Sequence, residues 1–411
     1  MRPGAEGRSG FPGGRAAGRT AAVPAGRLPA LLLVGAFALA GAALPGPEGS
    51  FGAGALAAQE LGSGQPGSPL AGGGGPVLQA FRFGDAEAVG IESLTLLTVP
   101  VVAGVPLGDR LRAEVHGGWA RGSMERADGV DVQVDGLIDT ELRLGADLVP
   151  GSVRLTGQLV VPTGVDSHSE DELALAGAVA ADLLPFRISH WSSGGGGGLS
   201  LSAVHSFGAT ALGMDVGYQR AGEFQPTAAE PAAVYRPGDA VLLTAALDQA
   251  VSATAKLTLR LDARRYGEDA LDGENLFRSG NRVGATAVYS FARGAASSGV
   301  AYAGYRHRSA GTFLVDLAPR PSQGAFLAGA GLRTPVGGGV LTPSADVRVL
   351  RREDGRGQGY ATSVGAAGEW ATGGVTLMPG ARLRFGSVLV QEELESGFVG
   401  FDLSLQLRRG G

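Results

Sequence analysis

Residues 253–264 read Ala-Thr-Ala-Lys-Leu-Thr-Leu-Arg-Leu-Asp-Ala-Arg. Ala253, Ala255, Leu257, Leu259, Leu261 and Ala263 are apolar, whereas Thr254, Lys256, Thr258, Arg260, Asp262 and Arg264 are polar or charged. Successive side chains of a strand point to opposite faces, so a period of two predicts a strand greasy on one side and wet on the other throughout. The same alternation runs through 137–148, where Ile138, Leu142, Leu144, Ala146 and Leu148 oppose Asp139, Glu141, Arg143 and Asp147. It returns in 153–161, with Val153, Leu155, Leu159 and Val161 against Arg154, Thr156 and Gln158. Further copies occupy 111–121, 212–219, 281–291, 341–350, 375–385 and 399–407. No sustained helical period competes with them. A soluble β-sandwich strand also alternates, so the decisive feature is the arginine and carboxylate that recur at successive positions of the wet face. A water-filled lumen accommodates such groups while lipid takes the apolar face, and segments of about ten residues with this pattern mark a transmembrane β-barrel.

Composition agrees with this reading once its parts are separated. The 411-residue chain carries 71 glycines and 44% apolar residues. Glycine is far above the usual ~7%, but there is no Gly-X-Y period, and the aliphatic content argues against both collagen and simple disorder. With Lys+Arg 34 against Asp+Glu 39 and no basic cluster beyond the N-terminus, no nucleic-acid partner is expected. Absence of cysteine removes disulfides, thiolate metal sites and cysteine nucleophiles together.

The N-terminus supplies the compartment. Arg2, Arg8, Arg15, Arg19 and Arg27 precede an apolar run from Leu28 to Leu44, and Ala55-Leu56-Ala57 offers a small-x-small cleavage site. Residues 1–57 therefore read as a signal peptide, with a single membrane anchor as the alternative. Removing them takes away five arginines and two glutamates, leaving 29 basic against 37 acidic residues, a charge of about −8. Residues 58–76 are rich in Gly, Ser and Pro and read as a flexible lead-in. Residues 77–411 then form one domain, an all-β, antiparallel, up-and-down transmembrane barrel in the outer membrane of a Gram-negative bacterium.

Connection lengths test the barrel independently, because outer-membrane barrels alternate short periplasmic turns with longer outer loops. Short joins fall at 150–151, 208–209, 249–252, 294–298, 334–338 and 371–374. Longer ones fall at 124–134, 162–171, 220–239, 266–280, 310–324, 351–359 and 386–394. The two classes interleave if a weak strand is placed at 186–192. Counting from Leu111 then gives about sixteen strands; two more at 77–83 and 90–102 widen the range to fourteen to eighteen. Trp119, Tyr218, Tyr289, Phe291, Trp370, Phe385 and Phe401 fall at strand ends, where they would form interfacial girdles. The last alternating segment, Gly400 to Leu407, is similar to the C-terminal signal read by the barrel-insertion machinery, although Arg408 to Gly411 trail it and no terminal aromatic is present.

One stretch goes beyond the general pattern. Asp139-Thr140-Glu141-Leu142-Arg143-Leu144-Gly145 opens a hairpin whose second strand ends Leu159-Val160-Val161-Pro162-Thr163-Gly164. An acidic residue at the head of a strand, a hairpin and a Pro-Thr-Gly exit resemble the meta-pathway phenol-degradation family of outer-membrane proteins, related in architecture to fatty-acid porins. The resemblance spans about 111–217. It implies uptake of small hydrophobic or aromatic solutes. The local reason for the tripeptide is that proline lacks a ladder donor and ends a strand at the rim.

The expected functional residues are inward charges. Arg154, Gln158, Lys256, Arg260, Asp262, Arg264, Asp346, Arg348, Arg382 and Arg384 would line the lumen and set its field, as rings of charge do in pores. The bland alternative is a salt-bridge network filling a narrow barrel. No metal, cofactor or catalytic residue is expected: His116, His168, His190, His205 and His307 lack metal spacing. The acidic run 166–172 reads as a solvated outer loop, with calcium or lipopolysaccharide bridging as its alternative. His190 and Ser192 would share a strand face, as in a barrel phospholipase, but lack an orienting third group. Gly194 to Gly198 has no following Lys-Ser/Thr and reads as a flexible connection. The expected role is a passive channel for small, hydrophobic or aromatic solutes, among outer-membrane lipid and lipopolysaccharide; the alternatives are a non-conducting adhesive barrel and the phospholipase-like enzyme.

Overall fold

The structure, a computed structural model, describes residues 71–228, 233–294, 297–315, 317–355, 358–391 and 394–409. The expected leader and most of the lead-in lie outside the described residues. The wall opens with β1 (Ala71–Gly74) and β2 (Val77–Phe83), which share one place in the sheet, followed by β3 (Ile91–Leu107) and β4 (Leu111–Arg126). Next come β5 (Asp131–Leu137) and β6 (Thr140–Val149), which pair with successive parts of β4, and then β7 (Val153–Val161), β8 (Gly196–Phe207) and β9 (Thr210–Ala221). Above the wall lies β10 (Tyr235–Arg236); β11 (Ala240–Ser252) and β12 (Ala255–Tyr266) return to it. A hairpin of β13 (Glu268–Leu271) and β14 (Glu274–Arg278) leads to β15 (Arg282–Arg293) and β16 (Ser297–Arg308). Two short strands, β17 (Gly311–Phe313) and β18 (Pro319–Arg320), precede β19 (Gln323–Val336), β20 (Gly339–Arg352), β21 (Gln358–Thr372), β22 (Val375–Gln391) and β23 (Leu394–Arg409).

Every wall strand pairs antiparallel with its neighbours, and β23 closes on the first place, from Val77↔Ser404 to Phe83↔Phe398 and again at Gly72↔Arg409. The result is a closed barrel of sixteen strands. Closure matters because lipid offers no hydrogen bonds, so an open edge could not cross a bilayer. No helix among the described residues is long and apolar enough to do so.

The total agrees with expectation, but its distribution differs. The two strands before Leu111 are part of the sixteen, and only fourteen strand places follow from β4 onward. Residues 186–192 form no strand. They are irregular chain inside the barrel, where Phe186 and Trp191 join the hydrophobic core, so no period-two alternation is selected. The glycine run is likewise no loose connection, since Gly196 to Gly198 begin β8. Among the described residues, wall pairing is present from Ala71, ahead of the expected Val77, as Gly72 to Gly74 pair with both β3 and β23.

One rim carries tight turns at 108–110, 150–152, 208–209, 253–254, 337–338 and 373–374, with both ends of the wall beside them. Gly337 and Gly338 have φ of 55° and 78°, and Gly373 and Gly374 of 55° and 81°. Positive φ at both central residues is what a two-residue turn needs to match strand twist, and glycine adopts it without penalty. The long loops all leave the opposite rim, the outer one in barrels of this kind.

The apolar face of the alternation is outside. Leu144, Leu159, Leu199, Leu261 and Leu383 are exposed there, with Leu261 and Leu383 each at 60%. Outward aromatics bound the band: Tyr305 is level with Phe326, Phe326 with Val349 and Val349 with Tyr360. Towards the other rim Tyr289 stacks on Phe291. Phe291 is level with Gly299, six residues from Tyr305 along β16, about 20 Å at ~3.3 Å per residue. That approaches the ~25 Å of an outer-membrane apolar band.

Candidate functional site

The connection from β7 to β8 does not stay at the rim. Residues 162–195 fold into the bore and reach opposite walls. Trp191 Nε1 donates to Ala120 O of β4 at 3.1 Å, while Gln323 Nε2 of β19 donates to Asp182 Oδ2 at 2.8 Å. Arg348 Nη1 of β20 donates to the Asp182 carbonyl at 2.8 Å, and Gln79 of β2 both donates to Pro185 O and accepts from Arg187 N. Such widely separated wall strands can be bridged only through the interior of the barrel.

Local sequence explains the shape of this loop. Ser169 and Glu172 form a reciprocal capping box that starts helix α2 (Glu170–Val179), preceded on β2's side of the barrel by the single-turn α1 (Ala86–Val89). Glu170, Asp171 and Glu172 lie in the first turn, where the helix dipole favours acids, and Arg126 Nη1 meets Asp171 at 2.7 Å. Leu175, Ala176 and Val179 occupy one face and are buried. The acidic run expected as a solvated outer loop is therefore the N-terminal turn of a docked helix and the chain leading into it. The signal was available: Ser169-x-x-Glu172 followed by Leu173, Leu175, Ala176 and Val179 is a helix start with an apolar face.

Beneath the helix lies a hydrophobic core inside the barrel. Phe81, Leu94, Leu96, Ala120, Met124, Val132 and Val134 from the wall pack against Leu175, Val179, Leu183, Phe186 and Trp191 from the loop. Phe81 and Phe186 meet edge to face at 5.0 Å. Thus the upper inner face of β2 to β5 is apolar, while the outward positions of upper β4 and β5 carry Arg121, Ser123, Glu125, Asp131, Gln133 and Asp135. The loop buries that sector.

Asp139 anchors the loop where β5 gives way to β6. Its Oδ2 accepts from Ser193 N at 2.7 Å and Ser193 Oγ at 2.9 Å; its Oδ1 accepts from Gly164 N at 3.2 Å. A Cβ on Gly164 would stand 2.1 Å from Trp191 O, so only glycine fits at this crossing. Asp139 and the Pro-Thr-Gly exit, quoted separately in the sequence, are thus in contact. His190 and Ser192 have separate partners: His190 Nδ1 pairs with Ser189 Oγ, Ser192 Oγ accepts from Gly194 N, and no hydrogen bond joins the two among the described residues.

The opposite sector is basic. Arg264 on β12 is level with Arg282 on β15, Arg282 with Arg308 on β16, Arg308 with Gln323 on β19, and Gln323 with Arg352 on β20. Arg306 and Arg348 stand on the same face one or two steps below. Like charges directly opposite across strands repel, and the row is offset in part by acids beside it: Arg352 Nη2 meets Asp354 at 2.9 Å. The loop supplies one acid there, Asp182, which keeps accessible surface inside the bore. Desolvation inside the barrel works against its charge, but Arg282, Arg308 and Arg306 overcome this and hold its carboxyl below the usual range.

The residues expected to line the lumen all stand on inward strand faces, and many are already paired. Arg154 Nε meets Asp147 at 2.7 Å, Lys256 meets Asp248 at 3.2 Å, Arg382 meets Asp346 at 2.9 Å, and Arg384 Nε meets Asp402 at 3.0 Å. Gln158 is level with Arg143. Arg260, Asp262, Arg264 and Arg348 belong to the basic sector. Sequence reading missed Asp182, Arg282, Arg306, Arg308, Gln323 and Arg352. Arg306 and Arg308 stand two apart in a strand, and that spacing was the signal.

No protein-family model matches the chain, and no curated protein does. Among solved structures it is similar to an anion-selective porin from Comamonas acidovorans, at 13% identity and a TM-score of 0.40, over 82% of this chain and 98% of that one. It is also similar to a loop-deletion form of OmpT, an outer membrane protein of Vibrio cholerae, at 7% identity and a TM-score of 0.40, over 83% and 99%. A bacterial polysaccharide outer membrane secretin matches at 11% identity and a TM-score of 0.41, over 82% and 98%. These likenesses are loose, and the location follows from the barrel itself. A closed antiparallel barrel with an outward apolar band, aromatic rows and a charged interior is an outer-membrane barrel.

Proposed function

We propose that the chain is a passive outer-membrane channel for small solutes, with a preference for anions. The observation that carries this is the inward row Arg264, Arg282, Arg308, Gln323, Arg352 facing a loop that already fills the other half of the bore. Barrels of sixteen strands are wide enough for an aqueous passage, and fixed charge along a passage sets which ions enter. The resemblance to the phenol-degradation family adds hydrophobic or aromatic character to the solute; small aromatic carboxylates satisfy both features. On this reading the barrel has no enzymatic role, is surrounded by outer-membrane lipid and lipopolysaccharide, and is inserted through its β23 signal.

Refolded protein in a planar bilayer under a salt gradient tests the proposal. The expected result is a step conductance whose reversal potential reports chloride passing more readily than potassium. A cation preference would remove the anion reading. Silence at all voltages would remove the channel and favour a structural or adhesive barrel acting through its outer loops.

A further inference from the structure

We propose that the arginine row is a binding site for small polyvalent oxyanions, phosphate-like or dicarboxylate, that is occupied at rest by the loop's own Asp182, so that an entering anion displaces Asp182 and frees the inserted loop. The inference rests on the channel reading and assigns a site within it.

Three observations carry it. First, the guanidinium of Arg308 belongs to a residue only 8% exposed, and its Nε has no hydrogen-bond partner. Buried arginine donors are ordinarily satisfied, and an oxyanion is the group that satisfies several at once. Arg352 Nε also lacks a partner, although its Nη2 donates to Asp354. Second, Asp182, the carboxylate that the inserted loop sets before this row, is held by one neutral side-chain donor, Gln323 Nε2, and the bond from Arg348 goes to its backbone oxygen; at the end of the row Arg352 Nη2 has its own carboxylate, Asp354, at 2.9 Å. A monovalent acid on a tether is a weak competitor for a site that a divalent ion can bridge. Third, Asp182 keeps accessible surface inside the bore although protein surrounds it, so it is Asp182, and not the hydrophobic part of the loop, that an anion in the bore meets in front of the arginines. Leu183, Leu184 and Phe186, which follow immediately, are buried in the core under the loop. Movement of Asp182 is therefore transmitted directly to the packed segment that narrows the bore.

Inorganic phosphate is the probe. Chloride current is measured at fixed ionic strength while phosphate is raised, in the natural chain and in Asp182→Asn. If the resident carboxylate must first be displaced, apparent affinity is reduced by the fraction of time the site is free, and neutralising it lowers the phosphate midpoint by about fivefold or more. Asp182→Glu, which keeps the charge, stays within about twofold of the natural chain. Equal midpoints in the natural chain and Asp182→Asn overturn the inference and leave the channel intact. A second measurement covers a variant that fails to fold. The chain lacks cysteine, so Ala181→Cys carries a single spin label beside Asp182 in detergent-refolded protein. Phosphate increases label mobility, while chloride at the same ionic strength does not; no difference between the two salts overturns the inference. This readout needs no current, so a silent barrel sinks the channel reading alone.

Discussion

Asp139 and Ser193, 54 positions apart, are joined by two hydrogen bonds, from the Ser193 amide at 2.7 Å and its hydroxyl at 2.9 Å to the same carboxylate oxygen. With Gly164 N on the other oxygen, one carboxylate holds both ends of the inserted loop to the wall. Asp139 thus acts as a clasp at the break between β5 and β6.

Replacing Asp139 with alanine leaves the Ser193 and Gly164 donors without their acceptor, at about 1–3 kcal/mol for each orphaned buried group. The expected outcome is a loop cut by protease within 162–195 while the barrel persists on a heat-modifiability gel, together with larger and noisier conductance. Unchanged cleavage would show that the loop is held by its hydrophobic core alone. Asp139→Asn retains acceptor capacity and should fall between the two.

Arg308 stands between Arg282 and Gln323 in the basic row. Arg308→Ala relieves repulsion and weakens the field at once. The barrel should therefore lose no stability, whereas the anion-to-cation permeability ratio drops roughly twofold or more. Reversal potentials under a salt gradient measure this, and a ratio equal to that of the natural chain would place the selectivity elsewhere.

Above the rim, β10, β13, β14, β17 and β18 form a separate five-stranded sheet with its own titratable latch. Asp269 accepts from the Tyr235 hydroxyl at 2.7 Å and from Gly238 N at 2.8 Å. Burial pushes its carboxyl up to about 6, against the opposing effects of Gly238 N–H, the Tyr235 hydroxyl and Arg320. A carboxyl whose folded pKa is raised contributes stability fully present below its unfolded value near 3.8, and loses it as the pH rises through about 6. The swing is about 2–3 kcal/mol. Amides of Tyr235 and Ala270, corrected for intrinsic rates, should exchange more slowly at pH 5 than at pH 8. Asp269→Asn should abolish that difference; a difference that survives the substitution belongs to another group.

The inserted loop responds in the opposite sense. Burial pushes the His190 imidazole below its usual range, with Asp139 opposing, and does the same to His168, with Glu172 and Asp166 opposing. Groups depressed on folding stabilise the packed loop above 6.5 and release it as the pH falls through their lowered values. Acidification should therefore increase protease access to 162–195. His190→Phe, which cannot take up a proton, should shift or remove the transition, and an identical acid profile would exclude His190 as its source.

How far these features could be read from the chain depends on how local their causes are. Alternation in 253–264 is written into each strand, because every residue meets either lipid or the interior and the pleat sorts them at period two. The closed barrel, the short and long rims and the inward placement of Arg154, Lys256, Arg260, Arg382 and Arg384 could be read that way. In the upper parts of β2 to β5 the rule fails for a physical reason: Leu94, Leu96, Val132 and Val134 face inward yet meet protein, not water. Nothing within those strands announces a partner that arrives from 162–195. The same chain segment misled the reading twice, since a helix inside a barrel buries residues that a rim loop would expose, and in 186–192 the buried residues Phe186, His190, Trp191 and Ser192 follow no period of two.

Sequence by itself determined the membrane barrel, its sense of alternation and its turns, because these follow from neighbours one to four residues apart. Only the tertiary structure decided how the bore is lined. Register across five strands brings Arg264, Arg282, Arg308, Gln323 and Arg352 level, and a loop from the far wall sets Asp182 before them. Both depend on pairings between residues tens to more than a hundred positions apart, which local period cannot specify. They turn the lumen expected to be charged all round into one with an apolar half under the inserted loop and a basic half across from it.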